Sequence, residues 1–181
     1  MLQPINFETE TLKIHSFRIS DIDDHRQLAA DVLSIFSDSF TLKFVPTKRL
    51  NSIESAQDFI KTTIINHHIG RSHLHFITSK ETQRVVGVVD LISPEVAKEH
   101  YKLDDYPYFI EFYLLKFQSG KAKMSAVLPF FIKHLQDNGL DKLAAVVNRN
   151  NQAAIKVLER SGFKLKTKFD ILQDLYVSEL I

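Results

Sequence analysis

The residues best suited to chemistry lie in the turn 117–124, which reads Phe-Gln-Ser-Gly-Lys-Ala-Lys-Met. The aromatic and aliphatic run 108–115 before it predicts a buried strand, and the apolar stripe within 121–136 predicts a helix. The first N–H groups of such a helix have no partner within the helix and lie at the positive end of its dipole, so they can hold an anion. Lys121 and Lys123 add positive charge there. An ordinary strand-to-helix turn with solvated lysines fits the same residues, so both interpretations stay open.

The distribution of charge favours a phosphate-bearing ligand. The net charge is only +1, but residues 116–168 hold eleven Lys/Arg and three Asp/Glu, and the remainder of the chain is acidic. The basic segment coincides with the candidate anion site. A nucleic-acid-binding protein would show a stronger overall basic bias or a recognisable reading motif. The sequence has neither, so we expect no nucleic-acid partner.

Length and composition indicate one globular domain over residues 1–181. Hydrophobic residues make up 44% of the chain and charged residues 25%, and there are no cysteines. The missing cysteines exclude disulfides, thiolate metal ligands and a Cys nucleophile. No apolar run approaches the roughly 20 residues that span a bilayer, and the N-terminus does not resemble a signal peptide. We therefore expect a cytoplasmic protein with no membrane partner.

Hydrophobic periodicity and turn residues predict the elements that must position the turn 117–124. Residues 37–51 look irregular, and 94–107 is predicted to be a polar surface loop with at most a helical turn. The predicted strands are 10–17, 73–78, 84–92, 108–115, 142–147, 163–168 and 171–180, and the predicted helices are 20–36, 51–69, 121–136 and one capped by Asn150 or Asn151. Seven strands and four helices in the order β-α-α-β-β-β-α-β-α-β-β indicate a mixed sheet covered by helices.

Two further patterns could carry chemistry. His67, His68, His73 and His75 are close in sequence, and His-x-His on a strand places two rings on one face, as a zinc site would need. No carboxylate at matching spacing supports such a site, so we favour a helix end and a polar strand face and expect no metal. The segment 119–122 is not a Walker A loop, because the upstream glycine and the following Ser/Thr are missing.

The element order and three local signatures resemble the GNAT superfamily of acyl-CoA-dependent N-acetyltransferases, in particular the ribosomal-protein-alanine type, a group that also includes polyamine acetyltransferases. The signatures are Glu-Thr-Glu-Thr-Leu-Lys-Ile at 8–14 with Asp21 downstream, Gln-Ser-Gly-Lys-Ala at 118–122, and Asn-Gln-Ala-Ala-Ile-Lys-Val-Leu-Glu-Arg-Ser-Gly-Phe at 151–163. This resemblance covers nearly the whole chain. It implies an α+β fold with a mixed, mostly antiparallel seven-stranded sheet and about four helices. It also implies transfer of acetyl from acetyl-CoA, as co-substrate, to a primary amine by direct attack.

The resemblance assigns cofactor-binding roles by position. The backbone of Tyr113, Leu114 and Leu115 would pair with the pantetheine arm, and the side chain of Asn151 would hydrogen-bond it. Close approach of a pyrophosphate to the loop requires small residues at two of its positions. The residues assigned to the pyrophosphate loop and the outer phosphates are Gln118, Ser119, Gly120, Lys121, Ala122, Lys123 and Lys156, of which the lysines could equally be solvated.

Catalysis by direct attack needs a neutral amine, hence a base, and a donor for the departing thiolate. Glu111 is the carboxylate on the central strand and is our candidate base, although a solvent-facing or ion-paired residue would fit as well. Tyr113 and Tyr176 are candidate acids, or alternatively core aromatic residues. Asp90 ends its strand on the substrate side and could bind a cationic acceptor, such as a protein N-terminus or a polyamine.

Three departures from the family pattern leave alternatives open. Ala126 and Ala154 replace an acidic residue and a serine that many relatives carry, and Pro129 interrupts the helix after the loop. A catalytically degenerate acyl-CoA-binding module with a regulatory role is therefore the main alternative, and a nucleotide-binding regulator is a third possibility. The chain is expected to be a monomer or a homodimer.

Overall fold

The computed structural model describes residues 2–18, 20–116 and 123–179, with only the backbone of Ile22. Its described strands form one eight-stranded sheet in the order β1-β2-β3-β4-β5-β6-β8-β7. They are β1 Asn6–Glu8, β2 Leu12–Ser16, β3 Ser72–Ser79, β4 Val85–Ile92, β5 Tyr108–Leu114, β6 Lys142–Asn148, β7 Lys164–Lys168 and β8 Gln173–Glu179. All neighbouring strands are antiparallel except β5 and β6, which are parallel.

Helices cover both faces of the sheet. They are α1 Ser20–Asp23, α2 His25–Ser37, α3 Ile53–His68, α4 Pro94–His100, α5 Lys123–Asp137 and α6 Gln152–Arg160, with a 3-10 turn at Pro46–Lys48. The apolar sides of α5 and α6 pack on one face, which we call the α5–α6 face, against residues such as Ile110 and Leu143. On the opposite face α2 and α3 pack over Leu74, Phe76 and Val88. We call this the α2–α3 face, and α4 extends it toward Phe109. In the described part of the chain, no helix is both long enough and apolar enough to cross a bilayer.

The structure corrects three predicted elements. A strand, β1, precedes the predicted first strand and pairs with β2, for example Phe7 with Ile14. The predicted helix 20–36 is divided into α1 and α2, because Asp24 has a non-helical backbone conformation. The predicted loop after residue 93 begins with α4. Ser93 caps that helix by accepting from the N–H of Val96, and Pro94 occupies the first helical position, where its fixed φ is favourable.

The remaining elements follow the predicted pattern closely. Ser52 caps α3 through a reciprocal bond pair with Ser55, one residue after the predicted start of this helix at 51. α5 continues through Pro129 to Asp137. The helix tolerates this proline because its long apolar side, including Val127 and Phe131, is fully buried against the sheet.

Candidate active site

The parallel strands β5 and β6 part after two residues, and a cavity lies between them. They pair only at Tyr108 with Leu143 and at Phe109 with Ala144, although both strands continue further. The cavity has a volume of about 600 Å³ and is lined by 110–114 of β5 and 145–148 of β6. A cavity of this size suits a small-molecule or cofactor ligand. We call it the cofactor cavity.

Two helices begin at the cofactor cavity. The first turn of α5, including Lys123 and Ser125, and the first turn of α6 both contribute to its lining. Helix N-termini present unpaired N–H groups and the positive end of the dipole, so two of them at one cavity make it suited to a ligand with anionic groups. Lys156 and Arg160, both exposed on α6, add positive charge to the lining, as do Lys43 and Lys123.

Asn151 forms the N-terminal cap of α6 at the wall of the cavity. Its Oδ1 accepts from the N–H of Ala154 at 3.2 Å. The side-chain amide also carries two N–H donors, which the cap does not use. Of the two caps that the sequence allows, Asn150 and Asn151, the structure has Asn151, and it lies where an amide could donate to a ligand in the cavity.

The backbone of β5 has one open side toward the cavity. The N–H of Leu115 donates to the carbonyl of Val86 at 2.9 Å, and successive residues of a strand direct their N–H groups to opposite neighbours. Tyr113 therefore turns its N–H toward β4 as Leu115 does, and Leu114 turns its own toward the cavity. The carbonyl of Leu114 already accepts from Thr41 Oγ1 at 3.1 Å. Of the three residues that the sequence assigns to the pantetheine arm, Leu114 is the one whose N–H faces the cavity.

The residues assigned to the pyrophosphate loop lie outside the described part of the chain. These are Gln118, Ser119, Gly120, Lys121 and Ala122. The described residue that follows them, Lys123, starts α5 at the cavity.

Glu111 is the centre of a polar cluster on the α2–α3 face of β5. Its Oε2 accepts a hydrogen bond from the Tyr113 hydroxyl at 3.0 Å and a charge-assisted bond from Lys48 Nζ. The Lys48 ammonium also lies 5.3 Å from the centre of the Tyr113 ring, within cation–π distance. We call Lys48, Asp90, Tyr101, Glu111 and Tyr113 the acceptor cluster.

Asp90 lies directly opposite Glu111 in the β4–β5 register. Its Oδ1 is buried and has no hydrogen-bond partner among the described residues. Burial, followed by the neighbouring charge of Glu111, raises the pKa of Asp90 to about 7. Two carboxylates opposite each other on adjacent strands repel, so this arrangement costs stability and is typical of a functional site.

The two tyrosines of the cluster are held in their protonated form. Burial, followed by the charge of Glu111, raises the pKa of Tyr113 well above its ordinary value. The same two causes raise the pKa of Tyr101 to about 12. The Tyr113 ring is fixed by a contact with Phe36 of α2, at 5.3 Å between ring centres. Tyr113 is therefore a positioned hydroxyl donor beside the candidate base.

Tyr176 lies apart from this cluster. It is 5% exposed in β8 and packs in the core on the α5–α6 face, whereas Glu111 and Tyr113 lie on the other face. Burial raises its pKa. The structure brings together Glu111 and Tyr113 but not Tyr176.

Sequence reasoning misses two members of the cluster, Tyr101 in the predicted loop 94–107 and Lys48. Lys48 lies in the irregular segment between α2 and α3, where no motif or periodicity points to a site. Part of this segment, including Thr41 and Val45, lines the cofactor cavity. A lysine after a proline in a polar segment carries no local signal, so only the tertiary structure shows its contact with Glu111.

The histidines form local contacts. His67 at the end of α3 meets His73 of β3 with 3.3 Å between their Nδ1 atoms. His75 packs edge-on against Phe131 of α5, and burial lowers its pKa to about 3, so its ring is neutral. Among the residues that the structure describes, no three His, Cys, Asp or Glu side chains are grouped so that they could hold a metal ion.

Comparison with known proteins gives a family and a fold. A family model described as an acetyltransferase (GNAT) domain matches residues 14–164, which is most of the chain. No sequence among the curated proteins matches the chain.

Solved structures resemble the chain over nearly its whole length. A ribosomal-protein-S5-alanine acetyltransferase from Vibrio fischeri is 14% identical, with a TM-score of 0.70 and 97% of each chain covered. RimL, a ribosomal L7/L12 alpha-N-protein acetyltransferase in complex with coenzyme A, is 18% identical, with a TM-score of 0.71 and 98% of each chain covered. The microcin C7 self-immunity acetyltransferase MccE, in complex with acetyl-CoA and AMP, is 19% identical, with a TM-score of 0.66 and coverage of 94% of this chain and 93% of that chain. The predicted α+β fold is confirmed, with eight described strands instead of seven.

Proposed function

The chain belongs to the GNAT acetyltransferase family, and we propose that it binds acetyl-CoA in the cofactor cavity and transfers the acetyl group to a primary amine. The observation that carries this proposal is the parting of β5 from β6 at a cavity where α5 and α6 both begin. Such a cavity offers an open strand edge to an extended amide-containing arm and two helix N-termini to phosphates. These are two chemical parts of acetyl-CoA.

The acceptor cluster supplies the groups that acetyl transfer requires. Glu111 takes a proton from the ammonium group of the acceptor, and the neutral nitrogen then attacks the thioester carbon. The amide bond forms as the carbon–sulfur bond breaks, the nitrogen loses its second proton to solvent, and the thiolate takes a proton. Tyr113 is the candidate donor of that proton, since its hydroxyl is held beside Glu111.

The acceptor that we propose is a protein N-terminus, a polyamine or another small amine. Similar structures are named for acetylating ribosomal proteins, which supports a protein N-terminus. The carboxylates Asp90 and Glu111 support an acceptor that arrives as an ammonium ion, because they lie opposite each other on β4 and β5 and could both accept from its N–H groups.

An acyl-CoA-binding module without catalysis is the second candidate, and Ala154 favours it. This residue lines the cofactor cavity in the first turn of α6, and its methyl group cannot donate a proton to a thiolate. The cofactor cavity would be the same in both cases, so only turnover separates the two functions.

Thermal unfolding with and without acetyl-CoA, combined with thiol release over a panel of amines, tests the proposal. At 100 times its dissociation constant, acetyl-CoA should add about 2.7 kcal/mol to the free energy of unfolding. We expect this stabilisation to persist in excess ATP, and thiol release with at least one amine. Stabilisation without turnover on any amine supports the binding module, and no stabilisation at saturating acetyl-CoA overturns both functions.

A pair of charge-reversal variants tests where acetyl-CoA binds. Lys156→Glu places a carboxylate in the cavity lining and should weaken the stabilisation by acetyl-CoA. Lys61→Glu makes the same change on the exposed side of α3, where Lys61 pairs with Asp58, and should leave the stabilisation unchanged. Equal weakening by both variants would contradict binding in the cofactor cavity.

A further inference from the structure

We propose that Lys48 is an internal acceptor: its Nζ occupies the position of the acceptor amine and is acetylated by acetyl-CoA bound in the same molecule. This inference rests on the proposed function. It assigns Lys48 as a site of modification, and it explains why this lysine pairs with Glu111, the candidate base.

The contacts of Lys48 Nζ are those that an acceptor amine needs. A general base must lie within hydrogen-bond reach of the proton that it removes. Lys48 Nζ donates to Oε2 of Glu111, the candidate base, and lies over the ring of Tyr113, the candidate acid. The amine that an incoming acceptor would bring to this point is therefore already supplied by the chain.

The backbone around Lys48 holds it over β5. The 3-10 turn Pro46–Lys48 is closed by hydrogen bonds from Lys48 N to Val45 O at 3.1 Å and from Arg49 N to Pro46 O at 3.3 Å. Thr41 links the same segment to β5 through the Leu114 carbonyl. Residues up to Val45 of this segment line the cofactor cavity, and so do Glu111 and Tyr113, the two residues that Lys48 Nζ contacts.

The ion pair leaves the amine able to react. The Lys48 side chain is 40% exposed and that of Glu111 is 24% exposed. Ion pairs that reach solvent contribute little to stability, so separating Lys48 from Glu111 costs little once the proton has passed to the carboxylate. Because the pair is partly exposed, a contribution to protein stability alone does not account for its presence.

The reaction balances with acetyl-CoA as the sole co-reactant. Glu111 takes one proton from the Lys48 ammonium, and the free electron pair on Nζ attacks the carbonyl carbon of the thioester. The C–S bond breaks, the thiolate takes a proton from Tyr113 or water, and the nitrogen loses its second proton to solvent. Each molecule can react once at this position, and the product no longer carries the positive charge that pairs with Glu111.

The test is peptide mass spectrometry on the full chain incubated with acetyl-CoA and no added amine. We expect Lys48 to gain one acetyl group at a rate per molecule that is independent of protein concentration. Lys61, exposed on α3, and Lys133, exposed on α5, serve as internal references, because each pairs with a carboxylate away from the cavity. Because the amine is held at the site, Lys48 should react on the order of 10²-fold faster than either reference.

Two variants separate catalysed transfer from simple chemical acetylation. Glu111→Gln removes the base and should slow acetylation of Lys48 by at least about 10²-fold, with no change at Lys61 or Lys133. Lys48→Arg keeps the positive charge beside Glu111 and should abolish the modified peptide. Acetylation of Lys48 no faster than that of Lys61, or equally fast in Glu111→Gln, overturns the proposal.

The same samples distinguish failure of this inference from failure of the proposed function. If acetyl-CoA stabilises the protein and an added amine is acetylated while Lys48 is not, the internal acceptor is excluded and the enzyme remains. If acetyl-CoA gives neither stabilisation nor turnover, the proposed function is overturned, and this inference with it.

Discussion

The two parts of the candidate site, on either side of β5, are built from different chemical groups. The cofactor cavity lies where β5 and β6 separate and α5 and α6 begin, and most of its lining comes from one stretch of chain, β5 to α6, with contributions from residues 40–45, Tyr101 and Gln173. The acceptor cluster consists of side chains from β4, β5, the segment before α3 and the residue after α4. The cofactor cavity therefore depends mainly on how the strands and helices are arranged. The acceptor cluster depends on the identity of the residues at a few positions.

This difference predicts that the two parts can be disabled separately. Substitutions in the acceptor cluster should stop transfer and leave acetyl-CoA binding intact. Substitutions that move β5 should affect both parts, because both lie on this strand.

Glu111→Gln should have the largest effect on the reaction. Loss of a positioned base lowers kcat/KM by about 10²–10⁴-fold, while the isosteric amide keeps the shape of the site. Stabilisation by acetyl-CoA should stay close to that of the wild type, because Glu111 lines the cavity on β5 and not at the helix N-termini that would hold the phosphates. Thiol-release kinetics and thermal unfolding measure the two quantities.

The control for this variant is Glu81→Gln, which makes the same change at an exposed position in the β3–β4 turn. If Glu111→Gln retains wild-type turnover, Glu111 is not the base. If it loses acetyl-CoA binding as well, the two parts of the site are not separable.

Gly87→Ala should have the next largest effect, and it should damage both parts of the site. A Cβ at Gly87 of β4 would lie 2.6 Å from the carbonyl oxygen of Tyr113 and 2.8 Å from Leu114 Cδ1. β5 must move to admit it, at a cost of about 1–3 kcal/mol in the free energy of unfolding. We expect lower stability and also weaker stabilisation by acetyl-CoA, measured by urea denaturation with and without the ligand.

Gly139→Ala provides a control of similar stability cost. Gly139 has φ +83°, and a Cβ added there would meet no atom within 4 Å beyond its chain neighbours. Alanine at this position therefore costs about 1–2 kcal/mol through backbone strain alone. It lies in the turn after α5, at the opposite end of that helix from the cavity. If both variants reduce the acetyl-CoA effect equally, the loss reflects stability and not the position of β5.

The cofactor cavity is easier to predict from sequence than the acceptor cluster. Secondary-structure elements form the cavity, whereas side chains from distant parts of the chain form the cluster. Strand, turn and helix signals are local, so 108–115, the cap at Asn151 and the helix that it starts can be placed from periodicity and capping residues alone. The contact between Lys48 and Glu111 joins residues 63 positions apart, and no local pattern encodes it.

The errors in the predicted fold have a similar origin. The three residues of β1 are too few for a periodic pattern, and the strand exists because it can pair with β2. The start of α4, by contrast, carries a readable signal in Ser93 and Pro94, which the polar composition of 94–107 obscures. Tyr176 has a hydroxyl suited to acid chemistry, but its strand position turns it into the core on the α5–α6 face.

Asp90→Asn tests the acceptor cluster through stability. Burial and Glu111 raise the pKa of Asp90 from an ordinary value of about 3.9 to about 7. The folded protein therefore holds this proton more tightly than the unfolded chain, so the stability that Asp90 contributes is full below about pH 4 and is lost as the pH rises through about 7. Asparagine does not titrate, and the variant should gain stability relative to the wild type between about pH 5 and about pH 8.

Urea denaturation of both proteins across this range measures the gain, and Asp104→Asn at an exposed position is the control. The buried His75 changes the pH dependence of stability equally in both proteins, so its contribution cancels in the difference between their free energies of unfolding. A difference between variant and wild type that does not change with pH would mean that Asp90 is charged throughout and that the two carboxylates do not interact.

Ala154→Ser should have the smallest effect, and it acts on the cofactor side. Ala154 lines the cavity in the first turn of α6, and a hydroxyl there could donate to the departing thiolate. If Tyr113 already supplies that proton, the gain in kcat should stay below about tenfold, or about 1.4 kcal/mol in the activation free energy. Thiol release by the wild type and the variant measures the effect.

The matched control for Ala154→Ser is Ala153→Ser, one residue earlier in the same cavity lining. Both serines carry the same cost in helix propensity, up to about 0.5 kcal/mol, so a difference between the two variants reflects the position of the hydroxyl. Turnover that appears only in Ala154→Ser would identify the wild type as a binding module that lacks its acid. Equal turnover in all three proteins would mean that protonation of the thiolate does not limit the reaction, and that the acceptor cluster, not the cofactor cavity, sets the rate.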